Sequence, residues 1–370
     1  MGGSVKKDLK SGTYYFVIDI GIQPNGKRKQ KKKRGFRKKD DAKAALNEVI
    51  SELNKGIFIE PSKMLFSEVS IEWLECRKRE IRYSTYKTYN QVLCTHILPY
   101  LGNVKISKVN QRLLNSFINE QYEKGYSKNY IAKQIAVLKL IFNFAVEEGY
   151  LKHNPAKKLK KHEEKNTVTS VWTEAAAKTF LATARTSPYY AVYLIALATG
   201  LRKGEILGMR WDAVDFENSR IYVKQILTND GKRLEVGAKT ENSLRSVEVS
   251  QNIMEELKSI KQKFNDKERL IKGAFSENNL VISSSKGTPI NPRNIGRNMD
   301  LLIQKAGVPR ITFHCLRHTH ATLLMEKGIN MKVVSERLGH ADIRTTMNRY
   351  THVGQTLQKE AAEMMGSLIK

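Results

Sequence analysis

The chain has 370 residues, 41% of them hydrophobic, enough for two or three domains with cores of their own. It carries 64 Lys and Arg against 37 Asp and Glu, a net charge of +27, and only three scattered cysteines, Cys76, Cys94 and Cys315. That cysteine usage excludes a disulfide framework and fits a reducing compartment, while the charge points to a polyanionic partner, nucleic acid first. The start, M-G-G-S-V-K-K-D, lacks an apolar signal region, and no stretch approaches 18 apolar residues. The expectation is an intracellular, soluble protein with no membrane partner.

Residues 14–20 read as a strand and residues 24–26 as a turn. The run over residues 27–39 has ten basic side chains in thirteen. It is expected to hold a second strand and a third around Gly35 and Phe36. Asp40 or Asp41 then caps a helix whose apolar side is Ala45, Leu46, Val49, Ile50 and Leu53. A three-stranded sheet plus helix with this charge is a format suited to DNA. Lys27, Arg28, Lys29, Lys31, Lys32, Lys33, Arg34 and Arg37 are the candidate contacts. A disordered basic tail is the competing reading of the run alone.

Residues 56–63 read as a linker. Helices are expected over residues 65–78, 84–97, 110–124 and 127–148, with a turn at 99–102. The polar run that follows Asn154 and Pro155 reads as a second exposed linker. A third unit begins near Val171, with a helix starting at Thr173 and an apolar helix over residues 189–198 that stops at Gly200. Residues 220–228 alternate, residues 229–231 signal a hairpin turn, residues 232–239 return, and 246–249 form a third strand. This leaves Lys239 at a hairpin tip. The remainder to 312 reads as helical, broken at 283–287.

The chemistry concentrates in this third unit. On a helix beginning after Thr312, His314 and Arg317 share a face, and the first turn favours an anion. Arg317 offers a planar fork of donors suited to phosphate oxygens. Arg202 follows the glycine stop, with Glu205 three residues on to orient it. The four histidines and cysteines between 314 and 320 point in different directions on a helix and bring no further ligand group, which weighs against a metal centre. Taken singly, Tyr350 reads as an ordinary tyrosine and each histidine as a capping or core group.

Together, the motifs A-T-G-L-R-K-G-E, K-T-E-N-S-L-R, H-C-L-R-H-T-H-A-T and L-G-H-A-D-I-R-T-T-M-N-R-Y-T-H, in this order, resemble those of the tyrosine recombinase family, the phage-type integrases. The resemblance implies a multidomain, mainly α fold with small β elements. It places an arm-type DNA-binding domain over 1–60 and a helical, SAM-like core-binding domain over 63–160. A mixed α/β catalytic domain over 170–370 would end in a C-terminal docking helix. It implies catalytic roles for Arg202, Lys239, His314, Arg317, His340 and the nucleophile Tyr350, with Glu205 in support and neither metal nor cofactor. It also implies integration and excision of a mobile element by a homotetramer on double-stranded DNA, in a bacterial cytoplasm, aided by an excisionase and a host DNA-bending protein. One departure is Cys315, where the family most often has an acidic residue. A type IB topoisomerase and a non-catalytic DNA-binding regulator are the competing classes, with a zinc-dependent nuclease third.

Overall fold

A computed structural model describes residues 2–22, 26, 28–55, 58, 62–160, 170–236, 245–270 and 278–339. The chain divides into two compact units, Met1–Asn166 and Thr167–Lys370.

The first unit opens with an antiparallel sheet of β1 (Gly3–Lys7), β2 (Tyr14–Ile22) and β3 (Arg28–Phe36), in that spatial order. The basic run is therefore a single strand through Phe36, and the third strand is the N-terminal β1. Helix α1 (Lys39–Asn54) covers one face, burying Phe16 and Ile18 against Ala42 and Leu46. That is the period-2 face of a strand meeting the 3.6-residue face of a helix.

Helices α2 (Phe66–Lys78), α3 (Tyr83–Val92), α4 (Leu98–Leu101), α5 (Gln111–Glu123) and α6 (Lys128–Glu147) follow. A π-turn, Leu93–Ile97, joins α3 to α4. The segment expected as a turn at 99–102 thus begins as helix, because Pro99 stands in its first turn, where no N–H is needed. Asn110 and Ser127 cap α5 and α6 by accepting from the N–H groups of Leu113 and Tyr130. Phe66, Trp73, Leu93, Phe117 and Phe142 are fully enclosed, each side chain contributing roughly 1.5–3 kcal/mol by burial. Residues 154–160 are not the exposed linker that their polarity suggests. Ala156 and Leu159 join this core, and the Asn154 amide donates to the Lys139 carbonyl.

The second unit contains α7 (Glu174–Ala184), capped by Thr173, then α8 (Tyr190–Thr199) and the short α9 (Lys203–Leu207). Strands β4 (Val214–Asp215), β5 (Arg220–Tyr222) and β8 (Ser246–Glu248) form one sheet, and β6 (Gln225–Leu227) and β7 (Leu234–Val236) form a separate hairpin. The alternating stretch 220–228 is thus two strands in two sheets, broken at Val223 and Lys224. Helices α10 (Gln251–Leu270), α11 (Pro292–Ala306), α12 (Phe313–Glu326) and α13 (Met331–Leu338) complete the described chain. Trp172, Phe180, Tyr193 and Trp211 centre its core. The Trp172 main-chain N–H donates to Thr319 Oγ1 of α12, and its indole N–H to the Pro309 carbonyl. These bonds fix where α12 begins.

Candidate active site

Helix α8 stops at Gly200, which takes the left-handed conformation at φ 67°. A Cβ there would lie 2.7 Å from His320 Cδ2 and 2.7 Å from Leu338 Cδ2. Glycine therefore ends the helix and also lets its tip touch α12 and α13. Two residues on, Arg202 caps α9. Its main-chain N–H donates to Glu205 Oε2 at 2.8 Å and its Nη1 to Oε1 at 2.9 Å.

Glu205 has a second partner that the sequence did not reveal. Arg245 donates through Nη1 and Nη2 to the same carboxylate, at 3.2 and 2.9 Å. Side-chain exposure is 5% for Glu205, 8% for Arg245 and 43% for Arg202. The buried pair is Glu205–Arg245, and it leaves the Arg202 guanidinium half-exposed to meet a ligand. Burial pushes the Glu205 carboxyl up, but the bonds and charge of Arg245, with Arg202 beside it, outweigh this and hold it below the usual range. Arg245 Nε also donates to the Arg337 carbonyl, and its side chain lies where a Cβ on Gly339 would fall, at 2.8 Å. Glu205→Ala strands this charge and is expected to cost about 3–5 kcal/mol in urea unfolding. Replacing both partners by Met should restore most of that loss.

Arg317 is 3% exposed. Its Nη1 donates to the Gly200 carbonyl at 2.8 Å and its Nη2 to the Leu338 carbonyl at 2.7 Å. The guanidinium thus bridges the ends of α8 and α13, and Gly200 brings it within two residues of Arg202. His314 is exposed in the first turn of α12, its ring edge-on to that of the buried His318 at 4.8 Å. Thr312 occupies the N-cap position but makes no side-chain cap bond; its hydroxyl lies 3.1 Å from Cys315 Sγ instead. Lys239, His340 and Tyr350 lie outside the described residues. Among the described residues, no group of three or more His, Cys, Asp or Glu is placed to hold a metal ion.

Two further polar residues meet at this junction. His320 Nδ1 lies 2.7 Å from the Leu197 carbonyl, and Arg337 Nε donates to His320 Nε2 at 3.2 Å. A carbonyl only accepts, so Nδ1 carries the proton and the ring is neutral. Burial holds the His320 pKa down at about 4; the Leu197 bond opposes this and the charges of Arg337 and Arg317 add to it. In an unfolded chain the group titrates near 6.5. Between these values only the unfolded chain binds the proton, so stability is complete above pH 6.5 and falls as pH drops towards 4. The loss is roughly 3 kcal/mol. Urea midpoints between pH 4.5 and 7 should show it, and His320→Gln should flatten that part of the dependence.

In the first unit, β3 displays Arg28, Lys29, Lys31, Lys32, Lys33 and Arg34, with Arg37 just beyond it; Lys27 lies outside the described residues. The register pairs Lys31 with Ile18 and Lys33 with Phe16, on the side of α1, and Lys32 with Val17 on the opposite face. There Lys32 Nζ stands 4.1 Å from the Tyr15 ring centroid and the Arg34 guanidinium 5.9 Å from it. The open face of the sheet is thus an aromatic platform under two cations. Arg28 pairs with Asp19 at 3.7 Å.

The sequence matches the phage integrase family over residues 170–356, an arm DNA-binding domain over 4–53, and a phage integrase N-terminal SAM-like domain over 65–122. A tyrosine recombinase XerC-like protein of Caldanaerobacter subterraneus subsp. tengcongensis is 30% identical, with 97% of this chain and 98% of that protein covered. The ICEBs1 integrase of Bacillus subtilis is 26% identical, with 99% and 100% covered. The fold is similar to that of the Tn1549 transposon integrase solved with transposon right end DNA, at a TM-score of 0.67 and 22% identity, covering 81% of this chain and 100% of that one.

Proposed function

Because the chain belongs to the phage integrase family of tyrosine recombinases, we propose that it is a site-specific recombinase that integrates and excises a mobile genetic element. Residues 1–60 bind arm-type DNA, residues 63–160 clasp the core site, and residues 170–370 carry the chemistry. Arg202 and Arg317 hold the non-bridging oxygens of the scissile phosphate and stabilise the charge of its pentavalent transition state. His340 adds a hydrogen bond to the same phosphate, and His314 takes up the proton of the Tyr350 hydroxyl. The tyrosine oxygen bonds to phosphorus as the bond to the 5′ oxygen breaks, and Lys239 protonates that leaving oxygen. A 5′ hydroxyl of another strand then attacks the 3′-phosphotyrosine and restores the tyrosine. The phosphodiester energy is retained, so no ATP is required, and the two arginines supply the positive charge for which a metal ion would otherwise be needed. Four protomers on two duplexes pass through a Holliday junction, with an excisionase and a host DNA-bending protein setting direction, in a bacterial cytoplasm. Among the described residues, no helix is long and apolar enough to cross a membrane.

The observation that supports this reading best is the junction at Gly200. One short segment, residues 200–202, accepts a bond from Arg317 at Gly200 and carries the half-exposed Arg202 two residues on. The test is covalent trapping on fragmented element and host DNA, with chelator and without metal, quenched in detergent. Protein-linked 3′ ends at a few defined positions are expected. Scattered ends would favour a topoisomerase-like enzyme, and tight binding with no linked ends would favour a regulator. Deleting residues 1–60 should leave core-site cleavage within about twofold and lower integration roughly 100-fold through lost bivalency. Integration assays on paired attachment sites check this.

A further inference from the structure

Arg317 and His320 stand three apart on α12, so they leave it on one face, and both are buried. Both also span the same two helices. Arg317 joins Gly200 to Leu338. His320 joins Leu197, at the end of α8, to Arg337, in the last turn of α13. Arg337 closes the figure by donating through Nη2 to the Ala198 carbonyl at 3.1 Å. The carbonyls of Leu197, Ala198 and Gly200 are thus each taken by a side chain from α12 or α13. Carbonyls in the last turn of a helix lack intrahelical partners, so side chains that satisfy them also fix where that end lies.

We propose that His320 and Arg337 are positioning residues for Arg317, setting the gap between the ends of α8 and α13 in which its guanidinium is held. The inference deepens the recombinase reading and rests on it. Arg317 hangs from two carbonyls that belong to different helices. A slide of one helix past the other would turn the guanidinium away from the phosphate even with both its bonds kept. The His320–Arg337 pair resists that slide because each member touches both neighbours. It works in one protonation state. Nδ1 donates to Leu197, so Nε2 must offer its lone pair to Arg337; a protonated ring would set a donor against a donor. Among the described residues, the charged groups facing the ring are Arg317 from its own helix and Arg337 from α13, while α8 presents the Leu197 carbonyl.

The test is the single-turnover cleavage rate at saturating protein on the core-site duplex recovered by covalent trapping, for variants whose melting curves show them folded at the assay temperature. A misplacement of about 1 Å costs on the order of 100-fold, and a loss of that size is expected for His320→Leu with duplex affinity unchanged. His320→Gln keeps an acceptor for Arg337 and should recover about tenfold of it. Adding Arg337→Met to His320→Leu should cost less than about twofold more, since the two act as one unit. Should His320→Leu fail to fold, Arg337→Lys decides: it keeps the cation, loses the Nε donor, and should cleave about tenfold more slowly at a parent-like melting temperature. Folded variants that cleave at the parent rate, or losses that simply add, would overturn the proposal. Arg317→Ala and Tyr350→Phe run beside them. If those two cleave normally as well, the recombinase reading has failed; if they are inactive while the His320 and Arg337 variants are not, only the positioning role has.

Discussion

Replacing Tyr350 by Phe is expected to abolish covalent attachment to DNA, a loss on the order of 10⁴-fold or more, while affinity for the duplex stays within about twofold. The substitution removes one oxygen and keeps the ring. In the proposed mechanism the hold of Arg202 and Arg317 on the phosphate does not depend on that oxygen, but the bond to phosphorus does. The two arginines would still favour attack on the bound phosphate by water, so any residual reaction should be hydrolysis. That yields a free 3′ phosphate and no protein-linked strand. Cys315 is the other nucleophile near the motif, and it lies three residues into α12 beside the Thr312 hydroxyl. A labelled duplex run on a denaturing gel separates the products. If Tyr350→Phe still forms an adduct, the nucleophile has been misassigned, and Cys315→Ser in that background would say whether the thiol has taken over.

The sequence carried the parts of this fold that depend on local period and on end signals. Helix starts at Asn110, Ser127 and Thr173 follow from an acceptor side chain before an apolar repeat, and all three cap as such residues do. What it could not carry is the choice of partner. Strand β1, G-S-V-K-K, has one apolar side chain and no alternation to read, and it is a strand because β2 has an edge to offer. Residues 220–228 read as one strand, yet β5 pairs with β8 and β6 with β7, and a strand-like composition says nothing about neighbours. Residues 154–160 are mostly polar, and the two that matter, Ala156 and Leu159, are too few to register as a period. The candidate site divides in the same way. Motif order singled out Arg202, Glu205, His314 and Arg317. Arg245 and His320 stood inside the same motifs and Arg337 directly before the last of them, but their work is to reach carbonyls or a carboxylate far away in the chain. A charged residue in a helix reads as solvated until its partners are seen.

Arg317 is the residue on which stability and the proposed chemistry meet, and Arg317→Ala is expected to lower single-turnover cleavage by on the order of 10³-fold or more. The same change leaves the Gly200 and Leu338 carbonyls without the donors they now have, at a cost of about 1–3 kcal/mol for each that water cannot reach. The two losses separate through Arg317→Lys. An ammonium keeps the charge, but one nitrogen cannot reproduce a planar fork with Nη1 on one helix end and Nη2 on another. Lys should therefore recover part of the stability, by satisfying one carbonyl, and little of the rate. Urea unfolding gives the first quantity and cleavage by DNA-bound protein the second. A Lys variant as unstable as Ala but fully active would mean that the bridge between α8 and α13 is structural alone and that the phosphate is held by other groups. A Lys variant that is stable and slow would mean that the fork, rather than the charge, is what the phosphate needs. The second outcome is expected, because Nη1 and Nη2 are each tied to a carbonyl of a different helix end, which fixes the direction of the remaining N–H groups of the fork, and a single ammonium cannot reproduce that.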